Sequence, residues 1–213
     1  MSMNIQIETV FVVGIVLFSV AATYFLFTYK KDFNSAFLVS FITVISYTLM
    51  LEGSLASVGA EGGAVYATRW AFYALSCTLL MYEIARFLKK SMSETIFLLY
   101  LTAIVMMTGA AAAYFDGWYM IGFFVISSVA YVRMIYPLLT AVSPHRSAVA
   151  KYILIGWTGF PIAFLLAPDG LGLISAATAA ILYLIFDVFT KVIFYFDLHK
   201  KMEAQTIRQL YND

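Results

Sequence analysis

The sequence predicts an all-α integral membrane protein, a bundle of seven transmembrane helices. Apolar residues make up 63 % of the 213 residues, well above the ~45–50 % of an average globular domain. Charged residues make up only 12 % of the chain, against ~25 % in such a domain, and cannot cover a water-exposed surface. This composition excludes a soluble enzyme. The balance of 13 basic against 12 acidic residues argues against a nucleic-acid-binding face.

The chain is long enough for seven spans with short loops, because a helix needs ~20 mainly apolar residues to cross the hydrocarbon core. The apolar runs are continuous and lack the alternation of an outer-membrane barrel, which favours helices. We expect one domain over residues 1–213, ending in a cytoplasmic tail over residues 197–213. The predicted spans are residues 8–29, 35–57, 65–88, 95–114, 118–141, 149–167 and 172–197.

Turn residues separate the later spans, whereas the first span follows a short segment with Glu8 and no basic residue. Such a segment does not resemble a cleavable signal, so we expect the first run to be a true span. The turn signals are Glu61-Gly62-Gly63, Asp116-Gly117, Ser143-Pro144 and Pro168-Asp169-Gly170.

Basic residues predict the orientation of the bundle. Ten of the 13 Lys and Arg residues fall on one side of an alternating topology, and the positive-inside rule makes that side cytoplasmic. The other side offers acidic residues, with only Arg69 near its boundary. We therefore expect an extracellular N-terminus and a cytoplasmic C-terminus. The ten are Lys30, Lys31, Arg86, Lys89, Lys90, Arg146, Lys151, Lys200, Lys201 and Arg208.

Lys191 lies deep in the seventh span, where a charge costs several kcal/mol unless it is paired, solvated or neutralised. Asp187 stands four residues earlier, on the same helical face and about 6 Å along the axis. One interpretation is a structural buried ion pair. The other is a lysine whose amine forms a Schiff base with an aldehyde cofactor, with Asp187 as the counterion.

The third span carries a second constellation on one helical face, made of Arg69, Phe72, Ser76 and Glu83. Arg69 lies at the outer end, and Glu83 lies towards the cytoplasm, about 16 Å along the axis from Phe72. Glu83 is either an interfacial carboxylate near Arg86 or a buried acid that responds to a passing proton.

Two further charges lie within predicted spans. Glu52, in the outer half of the second span, either pairs with Arg69 or makes a plain interhelical contact. Arg133, in the fifth span, is expected to be buried or to face a polar cavity. Cys77 is the single cysteine, which excludes an internal disulfide and a Cys-rich metal module, so no metal site is expected.

Lys191, Asp187 and Arg69 together resemble the microbial rhodopsin family, whose members bind retinal as a Schiff base. Span six resembles the family's ring of aromatic residues and proline around the polyene, and span five resembles the pattern around its ionone-ring end. These segments read Trp157-Thr158-Gly159-Phe160-Pro161-Ile162-Ala163-Phe164 and Phe123-Phe124-Val125-Ile126-Ser127-Ser128. The resemblance covers all seven spans and implies all-trans retinal bound covalently to Lys191. The pocket residues it implies are Tyr73, where bacteriorhodopsin-like pumps usually have Trp, and Phe124, Ser127, Trp157, Phe160, Pro161 and Phe164.

Three positions of span three resemble one group within this family. Outward proton pumps carry Asp, Thr, and Asp or Glu at the places held here by Phe72, Ser76 and Glu83. The combination of Phe, Ser and Glu, with Cys77 after the serine, is similar to schizorhodopsins, light-driven pumps that move protons inward. This resemblance implies an ion transporter, not an enzyme, in the plasma membrane of a prokaryote, with lipid and protons as partners. It also implies a homotrimer.

The missing outer carboxylate has a physical consequence of its own. Phe72 cannot accept a proton, so Asp187 alone must neutralise the Schiff base, and the attraction between them holds Asp187 in its charged form. We therefore expect the proton of Lys191 to leave towards Glu83, through it or through water to solvent, and the resemblance favours the second route. A replacement proton then reaches Lys191 from outside the cell, along a path past Asp187 and Arg69. Ser76 and Cys77 would tune the chromophore, although Cys77 is equally a candidate packing residue.

Three alternatives stay open at this point. A photosensor of the same fold would act through a separate partner, since no transducer segment is visible. A light-gated channel would need a long hydrophilic stripe, which the spans do not show. An unrelated seven-helix transporter would bury the same Lys–Asp pair without a chromophore, and retinal binding distinguishes it from the others.

Overall fold

Each long apolar run of the sequence forms a helix in the computed structural model, which describes residues 2–29, 34–54, 56–58, 64–141 and 146–201. Five of these helices are long and apolar enough to cross a membrane; α2 is shorter, and α3 carries three charged residues. The helices are α1 (Ser2–Thr28), α2 (Asn34–Leu51), α3 (Ala67–Phe87), α4 (Met92–Tyr114), α5 (Gly117–Leu139), α6 (residues 146–166) and α7 (Ala176–Lys201).

The chain between α2 and α3 differs from the prediction of a helix up to residue 57. A short antiparallel pair of strands follows α2, β1 (Ala56–Val58) and β2 (Ala64–Tyr66). The prediction was wrong because the apolar composition of residues 55–58 is shared by helices and strands, and composition alone does not separate them.

The end of α2 is set by Gly53, which adopts a positive φ of 69° that a residue with a side chain rarely takes. Its N–H donates to the carbonyl of Met50 at 3.1 Å, and the N–H of Ser54 donates to Leu49 at 2.9 Å. These two bonds close the last helical turn. Glu52 therefore lies exposed in a turn and not inside a span, which corrects the expectation for this residue.

Serine caps place two other helix starts near the predicted positions. Ser91 accepts the N–H of Glu94, and the Glu94 side chain accepts the N–H of Ser91 at 2.9 Å, so α4 begins at Met92 and not at residue 95. Ser175 accepts the N–H of Thr178 at 3.1 Å, and α7 begins at 176 and not at 172.

Two helices contain a wide π-helical segment where they meet, at Tyr152–Trp157 in α6 and Val188–Ile193 in α7. Such segments are rare and occur mostly at functional sites. Gly156 allows the close approach, because a Cβ atom at that position would collide with Cγ2 of Thr190. Lys191 thus lies on an irregular segment of α7 that packs against α6.

Basic side chains gather at one end of the bundle. Asp197 joins α6 to α7 there, with its carboxylate 3.2 Å from Nζ of Lys151 and 2.6 Å from Nζ of Lys201. We call this the basic end and define it by Lys89, Lys90, Lys151, Lys200 and Lys201; β1 and β2 lie at the opposite end. Several predicted features lie outside the described residues, namely Lys30, Lys31, Glu61-Gly62-Gly63, Ser143-Pro144, Arg208 and the tail beyond 201.

Candidate functional site

The centre of the site is an ion pair within α7. Nζ of Lys191 lies 2.7 Å from Oδ1 of Asp187, and the two side chains are 2 % and 0 % exposed. Removing two charges from water is costly, so a pair this deeply buried needs further hydrogen bonds to its remaining atoms.

Two tyrosines supply those hydrogen bonds. The hydroxyl of Tyr73, on α3, donates to Oδ2 of Asp187 at 2.8 Å, and the hydroxyl of Tyr47, on α2, donates to the same oxygen at 3.0 Å. Nζ of Lys191 also lies 4.3 Å from the centre of the Tyr73 ring, within the range of a cation–π interaction. Three helices therefore meet at one carboxylate.

Tyr47 did not emerge from the sequence as a site residue. Its signal was the spacing of Ser40, Thr43 and Tyr47 by three and four residues, which marks one face of α2. All three are buried, with exposures of 0 %, 2 % and 2 %. A polar face on a short apolar helix could have indicated that α2 contributes to the site.

A cavity of about 1070 Å³, counting its part open to solvent, lies beside Lys191. Its walls are mainly apolar and aromatic. Most of the site residues expected from the sequence line it: Arg69, Tyr73, Cys77, Phe124, Ser127, Trp157, Phe160, Pro161, Phe164, Asp187 and Lys191.

Aromatic rings from neighbouring helices form the walls of this cavity. Phe160 of α6 meets Tyr73 edge-on, with ring centres 5.5 Å apart. Phe124 of α5 stacks on Phe164 of α6 at 5.8 Å. Pro161 has no N–H to donate to the carbonyl of Trp157, which loosens α6 next to its π-helical segment.

Three predicted residues of α3 do not line the cavity as the structure describes it. Ser76 is fully buried, with its hydroxyl 3.4 Å from the carbonyl of Tyr73, and Phe72 is half-buried. Ser76 and Cys77 are adjacent in sequence and point about 100° apart around the helix, so only Cys77 reaches the cavity.

Glu83 is the third of these residues, and it lies about 9 Å beyond Cys77 along α3, towards the basic end. Its side chain is only 10 % exposed, and Oε1 lies 3.9 Å from Nη1 of the exposed Arg86. The contact is long for an ion pair. Glu83 is thus both near Arg86 and buried, so the structure combines features of the two interpretations.

At the opposite end, Arg69 does not pair with Glu52, contrary to one expectation. Its guanidinium carbon lies 4.4 Å from the ring centre of Tyr183 and 5.9 Å from that of Tyr66. Asp169, which precedes α7, lines the same cavity. Burial raises the pKa of the Asp169 carboxyl above its usual value, and the charge of Arg69 partly offsets this effect.

The cavity also contains residues that sequence reasoning missed. Most are small or apolar, and such residues look like ordinary helix packing until the helices are assembled. Gly109 is an example, because a Cβ atom there would lie 2.7 Å from Cζ3 of Trp70. The missed lining residues are Trp70, Leu80, Thr102, Val105, Met106, Gly109, Ser128, Tyr131, Met134, Asp169, Tyr183 and Thr190.

These residues fit the cofactor that the resemblance implies. A retinal aldehyde needs a primary amine to bind, a carboxylate beside the resulting cation and an apolar space for its polyene. Lys191, Asp187 and the aromatic cavity meet these three requirements.

Comparisons with known proteins agree with this site. Residues 5–203 match the family model described as bacteriorhodopsin-like protein. The structure is similar to that of schizorhodopsin 4, with a TM-score of 0.84 and 36% identity over 91% of this chain and 97% of that chain. Sensory rhodopsin-2 of Haloarcula vallismortis is 27% identical over 71% of this chain and 69% of that protein. Bacteriorhodopsin-II of Haloarcula marismortui is 28% identical over 76% of this chain and 71% of that protein.

The predicted seven-helix bundle and retinal cofactor are therefore confirmed, and the protein is a multi-pass protein of a prokaryotic plasma membrane. Its orientation in that membrane stays a prediction. Members of the family are light-driven transporters or sensors and not enzymes. The chain belongs to the bacteriorhodopsin-like family, with retinal bound as a Schiff base to Lys191.

Proposed function

We propose that this protein is a light-driven inward proton pump. One observation carries the proposal: among the described residues, Asp187 is the sole carboxylate that contacts Nζ of Lys191. The family resemblance implies that Phe72 occupies the position where outward pumps carry an acid. A phenylalanine cannot hold a proton. The similarity to schizorhodopsin 4, at 36% identity, supports the same interpretation.

Asp187 is suited to hold a positive charge in place and poorly suited to take a proton from it. Its Oδ2 accepts hydrogen bonds from Tyr47 and Tyr73, and its Oδ1 forms the ion pair with Lys191. Hydrogen bonds to a charged carboxylate are roughly twice as strong as neutral ones. Protonation of Asp187 would weaken all of them. Retinal, when bound, supplies light absorption and an isomerisation that changes the direction of the N–H at Nζ of Lys191.

Release towards the basic end is supported by polar groups on α2 and α3. Glu83 attracts a proton in that direction by its negative charge, as expected from the sequence. Ser40 and Ser46 are buried on α2, and their hydroxyls have no hydrogen-bond partner within the described protein. Buried hydroxyls usually bind water when the protein offers no partner. A proton leaving Nζ would then have polar groups along α2 over about 10 Å, from Tyr47 to Ser40.

Uptake from the opposite end is supported by the groups that share the cavity with Asp187. Asp169 and Tyr183 line the same cavity as Arg69. They lie opposite the basic end of the bundle, at the end that the positive-inside rule assigns to the outside of the cell. Asp169 can hold a proton on its way in, because its burial favours the neutral form.

The direction of transport can be measured in cells that express the protein with added all-trans retinal. External pH would be recorded in an unbuffered suspension, in light and dark, with and without a protonophore, and with Lys191→Ala cells as the control. We expect alkalinisation of the medium in light that the protonophore and the control variant abolish. Acidification would contradict the proposal and require an outward acceptor.

A photosensor is the second candidate, because sensory rhodopsin-2 of Haloarcula vallismortis is 27% identical to this chain over 164 residues. A coloured preparation that leaves external pH unchanged in light would favour this function. The same experiment therefore separates the two candidates.

A further inference from the structure

Arg133 has no part in the site described above, and its position on α5 needs an explanation. It lies six residues before the helix ends at Leu139, about 9 Å along the axis, and it is exposed on the outside of the bundle. Of the two expectations for this residue, burial was wrong, whereas Arg133 does face a cavity with polar side chains. A charge at this depth is costly unless a partner or water reaches it.

The described part of the chain offers this guanidinium no carboxylate at ion-pair distance. Its guanidinium carbon lies 5.9 Å from the ring centre of Phe97, on α4. A long cationic side chain near a helix end usually extends its charge to the membrane interface. Arg133 therefore presents a cation at that interface that no carboxylate of the described residues neutralises.

Arg133 opens into a cleft between the start of α4 and the end of α5, at the basic end of the bundle. The cleft combines one cationic group, an ion pair, hydroxyl groups and aromatic walls. Its principal lining residues are Lys90, Glu94, Phe97, Arg133, Tyr136 and Thr140.

Glu94 cannot serve as the partner of an incoming cation, because both of its oxygens are occupied. Oε1 lies 3.0 Å from Nζ of Lys90, and Oε2 accepts the N–H and the hydroxyl of Ser91 at 2.9 and 2.8 Å. The Lys90–Glu94 pair is neutral as a unit. Among the described lining residues, the net charge is therefore the single positive charge of Arg133, which favours an anionic ligand.

We propose that this cleft binds the phosphate of an anionic phospholipid from the leaflet at the basic end. A guanidinium matches phosphate oxygens in a two-pronged geometry, and basic pockets between transmembrane helices on the cytoplasmic side bind lipid headgroups. The apolar surface around the cleft favours a lipid over free phosphate: Val132 is 59% exposed, Tyr136 62% and Phe97 44%. Acyl chains would cover this surface, which inorganic phosphate cannot do.

The test uses the purified pigment in nanodiscs of phosphatidylcholine alone or mixed with phosphatidylglycerol. Native mass spectrometry counts the lipids that stay bound, and the loss of visible absorption on heating reports stability. We expect wild type to retain phosphatidylglycerol and to be more heat-resistant in its presence. Arg133→Gln should lower that retention about tenfold, as expected for loss of a charge-assisted bidentate contact. Arg133→Lys should have an intermediate effect.

Lys200→Gln is the matched control, because it removes an exposed charge at the same end of the bundle but outside the cleft. Equal retention of both lipids by wild type would overturn the proposal without any variant, as would equal loss in the two Gln variants. Inorganic phosphate added to phosphatidylcholine nanodiscs should not protect the pigment; full protection would overturn the assignment to lipid. A change of oligomeric state in Arg133→Gln with unchanged lipid retention would instead assign the cleft to a second copy of the chain.

Discussion

Tyr47 donates a 3.0 Å hydrogen bond to Oδ2 of Asp187, although the two residues are 140 positions apart in the sequence. Tyr73 donates to the same oxygen at 2.8 Å, and Lys191 approaches the other oxygen at 2.7 Å. The carboxylate thus has a hydrogen-bond donor from α2, a second from α3 and a cation from its own helix. This arrangement makes α2 part of the chromophore site.

Replacing Tyr47 with Phe should destabilise the pigment, since the charged carboxylate of Asp187 loses one of its two hydroxyl donors. A hydrogen bond to a charged group contributes about 1.5–3 kcal/mol, so we expect the free energy of unfolding to fall by up to that amount. The measurement is the thermal loss of the visible absorption band of the purified pigment.

Tyr131→Phe is a suitable control for this measurement. Tyr131 also lines the cavity, but its hydroxyl lies 2.9 Å from Oγ1 of Thr158 and does not contact Asp187. Loss of a hydrogen bond between two neutral groups should cost only about 0.5–1.5 kcal/mol. Equal losses of stability in the two variants would show that the bond to Asp187 contributes no more than a neutral one.

Replacing Lys191 with Ala should abolish the visible absorption band, because no other primary amine among the described residues lines the cavity. Pigment formation with all-trans retinal is the measurement, and Lys200→Ala, at an exposed position, should form pigment normally. A coloured Lys191→Ala protein would refute the assignment of the attachment site.

The charged part of the site could be predicted from the sequence because charges are rare in apolar spans. Lys191 and Asp187 stand out in a continuous apolar run, and their spacing of four residues already implies a contact. Tyr47 and Gly109 could not be predicted in the same way. A tyrosine suits a packing face as well as a polar site. Whether a glycine is needed for close packing depends on which helix lies opposite it.

The ends of the helices show the same difference between features that the sequence predicts and features that it does not. Apolar length predicted all seven helices, but α2 ends at Leu51 because of the backbone conformation of Gly53. The exposed position of Arg133 depends on how α4 and α5 pack, and no local pattern in the sequence contains that information.

Replacing Glu83 with Gln should leave pigment formation unchanged, because Glu83 does not line the cavity among its described residues. Inward transport should fall at least about tenfold if its charge assists the departing proton, in line with typical effects of acid–base groups. Light-induced pH change per amount of pigment is the measurement. Glu52→Gln, at an exposed acid of the opposite end, is the control. Unchanged transport in the Glu83 variant would leave Glu83 as an interfacial carboxylate.

Asp169 should make stability depend on pH. Burial raises the pKa of its carboxyl above the ordinary value of 3.8. The stability that it contributes is therefore fully present below the ordinary value and is lost as pH rises through the raised pKa. Asp169→Asn does not titrate, so wild type and variant should be equally stable near pH 3, with the variant more stable at pH 7.

The thermal midpoint for loss of visible absorption, measured over a pH series, tests this sign. Asp116→Asn, at an exposed position with no side-chain cap bond, should show no such trend relative to wild type. If wild type instead became more stable than Asp169→Asn with rising pH, attraction to Arg69 would outweigh the cost of burial.

Gly156 should tolerate no side chain, since a Cβ atom there would collide with Cγ2 of Thr190, next to Lys191. Gly156→Ala is expected to destabilise the pigment by about 1–3 kcal/mol through overpacking. Gly122→Ala is the matched control, because a Cβ atom at Gly122 meets nothing within 4 Å. It should be neutral or should stabilise the protein by up to about 1 kcal/mol. Thermal loss of the visible band compares the two variants.

A second substitution makes this test specific to the contact between α6 and α7. Thr190→Ser removes the colliding Cγ2 atom but keeps the hydroxyl that donates to the carbonyl of Phe186 at 2.7 Å. Combined with Gly156→Ala, it should recover a large part of the lost stability, because residues in direct contact give non-additive effects. Additive effects would show that the collision with Cγ2 of Thr190 is not the cause of the lost stability, since helix propensity by itself favours Ala over Gly.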